Sequence, residues 1–439
     1  MNSRRWWGVL WGSFLVAVIL VVVIVLTIDG RTQTEEVAFI YDGIPRMDIT
    51  LADITLEEID NNEKVVKYDG NTVDLTSQSG VFQFDNVQIS GHGNSTWIQT
   101  KKPYDLKFEK KVNLLGLGKA KKWVLLANAL DDTQLRNDIA YYVGRMLGGD
   151  WAQNGEFVEL YIDGDYRGLY YLVQKVEIGK DLVNLKDPLG VLVELDNLHT
   201  GGICYKAYDE NCLVVKDLVD EENLAPAMRD FLDSFNALEI AAEAGDYETV
   251  EKLIDVESFA KYYLVSEFTS NPDAYNTSWH LYKDGVMDKI HAGVYWDYDL
   301  ALSNARWGGS EFFLPEDVRT REKFAFGWKD YDKDGFEVEL EVDKSTSRLI
   351  YYLMRMPEFR KVVDDIFAEK MCGRGEELLG WIEQRVAMID EARQRDLSRW
   401  DKSDVNQESE KLINWVMRRF RHFENEYGNN CVNYDINVI

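Results

Sequence analysis

The stretch Asn271-Pro-Asp-Ala-Tyr-Asn276, answered further along by Tyr295-Trp-Asp-Tyr-Asp299, decides how this chain is read. Ahead of it, Asp255 is placed to cap a helix over residues 256–268, and Phe259, Tyr263 and Val265 give that helix a buried face. Pro272 pushes Asn271 away from helical angles, so the helix stops and Asp273 enters a loop. Residues 279–283 and 289–296 then read as two strands around Asp284-Gly285. The second strand delivers Asp297, so two acids end two successive elements and a tight hairpin sets their separation.

Helix, loop with Asp, strand, turn, strand, Asp is the element order of the catalytic half of protein kinases. There the first acid orients or deprotonates a hydroxyl and the second holds magnesium. Asp273 is the catalytic candidate and Asp297 the metal candidate. The slot for a further ligand, five residues after Asp273, holds Ser278, and Asn276 stands two residues nearer; either oxygen suits Mg2+ or Mn2+. Tyr298-Asp299 replaces the usual Phe-Gly, so the match is one of topology. A lone Asp more often caps a turn or a strand end, but two acids beside Tyr275, Trp279, Trp296 and Tyr298 point to a cleft. Asp297-Tyr-Asp299 is also an Asp-x-Asp pattern of the kind that holds the metal of a glycosyltransferase. Such an enzyme carries a parallel nucleotide domain ahead of that pattern, whereas the front of this chain reads as hairpins.

Arg4 and Arg5 precede an uncharged run over residues 6–28, about 23 residues and long enough to span a bilayer as a helix. The charge bias leaves residues 1–5 as a cytoplasmic tail and sends the rest outside the cell. A cleaved signal peptide is the competing reading, but the run is long and no small-residue cleavage site follows it. Residues 29–36 form a polar linker, 37–215 a strand-rich lobe, and 216–439 a mainly helical lobe carrying the catalytic hairpin 271–304. The expected class is α+β with two lobes. A net charge of −28 argues against a nucleic-acid partner. Cys204 and Cys212 flank a turn-like stretch and are equally compatible with a local bridge or with free thiols, as are Cys372 and Cys431 with thiols.

In the strand-rich half, Gly91-His-Gly-Asn-Ser-Thr-Trp97 joins two strands. Its backbone amides, with Asn94 and Ser95 or Thr96, suit phosphate oxygens, although an ordinary turn has the same composition. Among Lys101, Lys102 and Lys107, Lys107 is the choice for the nucleotide phosphates because it projects opposite Leu106 and Phe108; a solvated edge lysine would look the same. Glu177 or Glu194 would pair with it. Arg136, on an otherwise apolar helix capped by Asp132 or Thr133, reads as an ion-pair partner first and a phosphate contact second. Zinc-protease, serine-hydrolase and P-loop patterns are absent from the sequence.

Together these residues resemble the spore coat protein H (CotH) family of atypical secreted kinases, over residues 44–427. The likeness is carried by His92-Gly-Asn-Ser-Thr-Trp97, Lys101-Lys-Pro-Tyr104, Lys121-Lys-Trp-Val-Leu-Leu-Ala-Asn128, Arg136-Asn137, Tyr161-Ile-Asp-Gly-Asp-Tyr-Arg-Gly168, Asn271-Pro-Asp-Ala-Tyr275 and Trp296-Asp-Tyr-Asp-Leu-Ala301. What the resemblance implies is a kinase-like fold and transfer of the ATP γ-phosphate to hydroxyl side chains of surface or secreted proteins. It further implies Asp273 as acid/base and Asp297 as metal ligand. His92 stands where the family has Arg, and Ser278 stands in the Asn slot; both departures leave a catalytically inactive surface scaffold as the non-enzyme alternative.

Overall fold

The structure, a computed structural model, describes residues 43–199, 201–304, 347–402 and 406–427 together with four short strand segments. The expected tail 1–5 and most of the span 6–28 and linker 29–36 lie outside the described residues. Leu26–Ile28, however, is a strand paired antiparallel with Arg31–Gln33 rather than the last turn of a helix. β-Branched Thr27 and Ile28 ahead of Asp29-Gly30 favour that hairpin. Among the described residues no helix is long and apolar enough to cross a membrane.

In the front half, strands with alternating apolar and polar side chains are assembled into a closed barrel. Its strands are β1 (Arg46–Thr50), β2 (Tyr68–Ser77), β3 (Gly80–Gly91), β4 (Tyr104–Asn113), β5 (Lys119–Leu126), β6 (Gly155–Ile162) and β7 (Asp165–Gln174). They run in the order β1-β2-β3-β4-β5-β7-β6, and parallel pairing of β1 with β6, Met47 beside Leu160, closes the ring. Tyr104, Leu106 and Phe108 point inward to Met47, Val73, Ile89, Trp123 and Leu172, while Asp105 and Lys107 face out. The β6–β7 turn places Asp163 at φ 50° and Gly164 at φ 80°, the left-handed pair that an Asp-Gly hairpin requires. Helix α1 (Leu56–Asn61) covers one side and is held by a Thr55–Glu58 capping box.

Helix α2 (Arg136–Met146) follows the barrel's fifth strand. Its cap differs from the expected Asp132 or Thr133: the buried Asp131 carboxylate accepts from the Arg136 amide at 2.9 Å and from Thr133, and also ion-pairs with the Arg136 guanidinium. One acid thus serves the helix end and its first charged side chain together.

A second sheet, in the order β9-β10-β8-β11-β12, is built from β8 (Gly190–Leu195), β9 (Tyr205–Lys206), β10 (Cys212–Leu218), β11 (Trp279–Asp284) and β12 (His291–Ala292). Strands from residues 190–218 therefore bond to the hairpin that begins at Trp279, with Glu194 opposite His280. The second hairpin strand is shorter than the expected 289–296. Gly293, at φ 144°, brings its Cα so close to the Asp150 carbonyl that a Cβ would sit 2.9 Å away; there the chain leaves the ladder. Helices α3 (Leu224–Ala244), α4 (Tyr247–Leu253), α5 (Val256–Phe268), α6 (Leu349–Arg355), α7 (Pro357–Lys370), α8 (Gly375–Arg399) and α9 (Asn406–Tyr427) complete a helical rear half. Helix α8 returns to the barrel, where its buried Asp396 accepts from the Leu169 amide at 2.8 Å and pairs with Lys101 at 2.7 Å. A Cβ on Gly168 would lie 2.0 Å from that carboxylate, so only glycine fits.

Cys204 and Cys212 form a disulfide with Cα atoms 5.4 Å apart, tying β9 to β10. Closing so short a loop stabilises the fold by about 2–3 kcal/mol in the chain-entropy picture, and Cys204→Ser is expected to lower denaturant stability by that order. Glu239 on α3 is buried, accepting from Asp209 N at 3.0 Å and Asn211 Nδ2 at 2.7 Å, and burial pushes its carboxyl up to about 7 from 4.5. Its contribution to stability is complete below the unfolded value and is lost as pH rises through 7. Wild type should therefore lose on the order of 2–3 kcal/mol relative to Glu239→Gln between pH 5 and 8, as read by urea melts across that range.

Candidate active site

The cleft begins with the turn that ends α5. Asn271 Oδ1 accepts from the Asp273 amide at 3.1 Å, and the Asp273 carbonyl then accepts from Asn276 and Thr277, both at 3.1 Å. This tight turn presents the Asp273 carboxylate while burying Tyr275. Thr277 Oγ1 donates to Asp196 Oδ1 at 2.8 Å, and the Asn276 carbonyl accepts from Asn197 N at 2.8 Å, so the turn is fastened to the end of β8.

Asp297 enters from the opposite side. Asn137 on α2 accepts from the Tyr298 amide at 2.8 Å, Asn304 donates to the Asp299 carbonyl at 2.6 Å and to the Leu130 carbonyl at 2.9 Å, and Arg136 reaches the Leu302 carbonyl at 3.4 Å. Asn128 in turn accepts from the Asn137 amide group at 3.3 Å. Tyr275, Ser278 and Asp297 all have positive φ, at 67°, 56° and 66°; each costs an L residue on the order of 1 kcal/mol or more, supplied by this surrounding network.

Ser278 Oγ donates to Asp297 Oδ2 at 3.1 Å. Burial raises Asp297; the Ser278 bond and His92 oppose this, while Glu194 and Asp196 reinforce it. Burial and then the Asp297 charge push Asp273 up to about 7. Asp299 is deeper and is raised well above the carboxylate range by burial, then by Asp297, Asp131 and Asp273. Besides Asp131, which is paired with Arg136, the five carboxylates of Glu194, Asp196, Asp273, Asp297 and Asp299 therefore share one electrostatic neighbourhood. Asn276 Oδ1 lies buried beside them with no hydrogen-bond partner among the described residues.

A cationic wall faces these acids. Asp105 on β4 binds His92 Nδ1 at 3.0 Å and the Lys175 ammonium. Burial would raise Asp105, but the ring and the ammonium outweigh it and hold the carboxyl below its ordinary value. Lys64 donates to the Gly93 carbonyl at 2.5 Å and to Asn94 Oδ1; burial, then Lys216 and Lys175, depress it. Lys216 pairs with buried Glu194 at 2.7 Å. The His92 ring meets Trp296, next to Asp297, edge to face at 6.0 Å.

Of the residues singled out in the sequence, the structure brings Asp273, Asn276, Ser278, Asp297, Asp299 and Glu194 together, with His92 on the facing wall. Asn94 and Ser95 are exposed at the tip of the glycine loop, where Asn94 is engaged by Lys64. Lys107 is not among the converging lysines: it is exposed on the barrel's outer face one pleat beyond Asp105, between Gln88 and Lys122. Period two correctly puts it outside the barrel, but the outside there is solvent. Glu177 pairs with Lys122 at 2.8 Å. Lys64, Lys175 and Lys216 escaped the sequence reading because each comes from a different segment and stands in no motif.

Among curated proteins no relative matches the chain. The family model described as CotH kinase protein matches residues 89–423, from the last residues of β3 into α9, and so every segment of this cleft except the one that carries Lys64. The chain belongs to the CotH kinase family.

Proposed function

We propose that this chain is a membrane-anchored, extracytoplasmic protein kinase that moves the ATP γ-phosphate to hydroxyl side chains of surface or secreted proteins. The observation that carries the reading is the meeting of a basic wall, lysines 64, 175 and 216 with His92, and the acids Glu194, Asp196, Asp273 and Asp297, joined where Lys216 pairs with Glu194 and where His92 acts on Asp297. A triphosphate suits the first wall and a divalent cation the second. The barrel and the helical half are read as the two lobes of a kinase-like fold meeting at this cleft. The residues fit an oxygen-loving ion: Asp297 supplies a carboxylate, Asn276 an orphaned amide oxygen and Ser278 a hydroxyl. Held by these three residues, Mg2+ or Mn2+ would supply positive charge against the charge that develops in phosphoryl transfer.

The chain's own groups do the rest. Lys64, Lys175 and Lys216 hold and align the phosphates, with positioning supplying much of the acceleration. Asp105 fixes Lys175 and His92 in place. Asp273, at about 7, is poised to take the proton of the acceptor hydroxyl near neutral pH. The Cys204–Cys212 bridge supports an oxidising compartment, and Arg4 and Arg5 ahead of the apolar run support an outward orientation.

The test is incubation of the full-length chain with γ-labelled ATP, Mg2+ or Mn2+ and acceptor proteins, beside a nucleotide-sugar panel. Asp273→Ala and Asp297→Ala should each cut phosphate transfer by at least about a hundredfold. Incorporation from a sugar donor, or from neither donor, would reject the kinase reading. In the same assay Lys64→Ala or Lys216→Ala should raise the KM for ATP about tenfold, as loss of a charge-assisted phosphate contact would, while Lys107→Ala leaves it within about twofold.

A further inference from the structure

Outside the cleft, three metal-ligating side chains converge from three separate elements. Asp150 lies in the loop after α2, Asp255 caps α5, and His291 opens β12. Backbone bonds bring the last two together: the Asp255 amide donates to the Ile290 carbonyl at 2.9 Å, and the Ile290 amide to Leu253 at 2.8 Å. One ligand atom from each of Asp150, Asp255 and His291 lies within 4.8 Å of the other two.

The imidazole is set up as a ligand is. Its plane is fixed by stacking on Tyr282, with centroids 4.9 Å apart and planes inclined by 7°. Nε2 faces Asp288 Oδ1 at 3.5 Å, which favours the proton on that nitrogen and leaves the Nδ1 lone pair free, the carboxylate–histidine arrangement found behind metal-bound imidazoles. Nδ1 is shielded from solvent and has no hydrogen-bond partner among the described residues. It points to Asp150 Oδ2 across 4.0 Å, too far for a hydrogen bond but close to the span of two donors about 2.1 Å from one ion. Tyr282 OH donates to that same Asp150 oxygen at 3.3 Å. Asp255 keeps one oxygen on its helix cap, accepting from Ser258 N at 2.8 Å, and has the other to offer. Among the described residues no lysine or arginine ion-pairs with Asp150, Asp255 or Asp288, so nothing else there neutralises the group.

We propose that Asp150, Asp255 and His291 form a second, structural metal site that takes a divalent transition ion, with Zn2+ the best match and Mn2+ next. An imidazole nitrogen beside carboxylates selects against Mg2+ and Ca2+, which prefer all-oxygen shells. The ion would pin the start of α5 and the loop after α2 to β12, the strand from which the chain runs on to Asp297. Nothing in this site depends on the cleft's chemistry.

The experiment measures metal content, not activity, in the full-length chain carrying Asp297→Asn to disable the cleft ion. After chelator treatment, loading with Zn2+ and gel filtration, elemental analysis should find about one equivalent retained, and thermal melts should show that Zn2+ stabilises the protein by mass action. Adding His291→Gln or Asp150→Asn should weaken Zn2+ binding at least about tenfold with the metal-free melt unchanged. Asp150 is a partly exposed loop residue, so its variant decides the matter should His291→Gln fail to fold. No Zn2+ retained in the Asp297→Asn protein, or retention that survives Asp150→Asn, would overturn the proposal. Neither result bears on phosphate transfer from ATP.

Discussion

Carboxylates gathered in a poorly solvated cleft repel one another, and this chain gathers five: Glu194, Asp196, Asp273, Asp297 and Asp299. Left to themselves such groups take up protons or draw in counter-charges. The chain lets both happen in graded fashion. Glu194 stays below its ordinary value because Lys216 outweighs its burial, whereas burial lifts Asp273 to about 7 and raises Asp299 well above its ordinary value. The result is a site that still lacks positive charge on one side and is rich in it on the other, the electrostatic condition for holding a cation between a polyanion and its acids.

Keeping Asp273 and Asp297 apart from the lysines while Glu194 pairs with Lys216 requires a stiff frame. The Asp297 segment is tethered by main-chain bonds to Asn137 and Asn304 and does not rely on its own side chain for position. The Asp273 turn is fastened to β8 through Asp196 and Asn197. Left-handed angles at Tyr275, Ser278 and Asp297 aim the side chains where regular strand or helix geometry would not. Far from the cleft, Asp396 on α8 plugs into the barrel at Gly168 and Lys101, so this long helix locks the two halves against sliding.

This division explains what the sequence made legible. Helix α5, its Asp255 cap and its stop before Asp273 follow from local rules and lie where expected. The strands of the front half also follow from period two, and the Asp163-Gly164 hairpin from its turn chemistry. Barrel closure does not, because pairing of β1 with β6 joins segments more than a hundred residues apart with no local signature. The same limit hid the lysine wall. Lys107 satisfied the local pattern, but only tertiary packing decides which outward-facing lysine looks onto a cleft, and it selected Lys64, Lys175 and Lys216.

Motif residues that look catalytic in the sequence divide in the structure into those that meet the cleft and those that hold it. Asn128, Arg136 and Asn137 belong to the second group: they carry the family resemblance, yet Asn137 donates to Asn128, Asn137 and Arg136 hold the backbone of residues 298–302, and Arg136 pairs with Asp131. His92 belongs to the first. Replacing a guanidinium by an imidazole at this position gives up a fork of donors and a permanent charge, and the chain answers by bringing Lys175 onto the same carboxylate that His92 uses. Asp105 thereby joins the Lys175 ammonium, at the end of the barrel's last strand, to the imidazole of the glycine loop. The positive wall does not rest on His92 alone, so this departure from the family pattern is compatible with a working phosphate site.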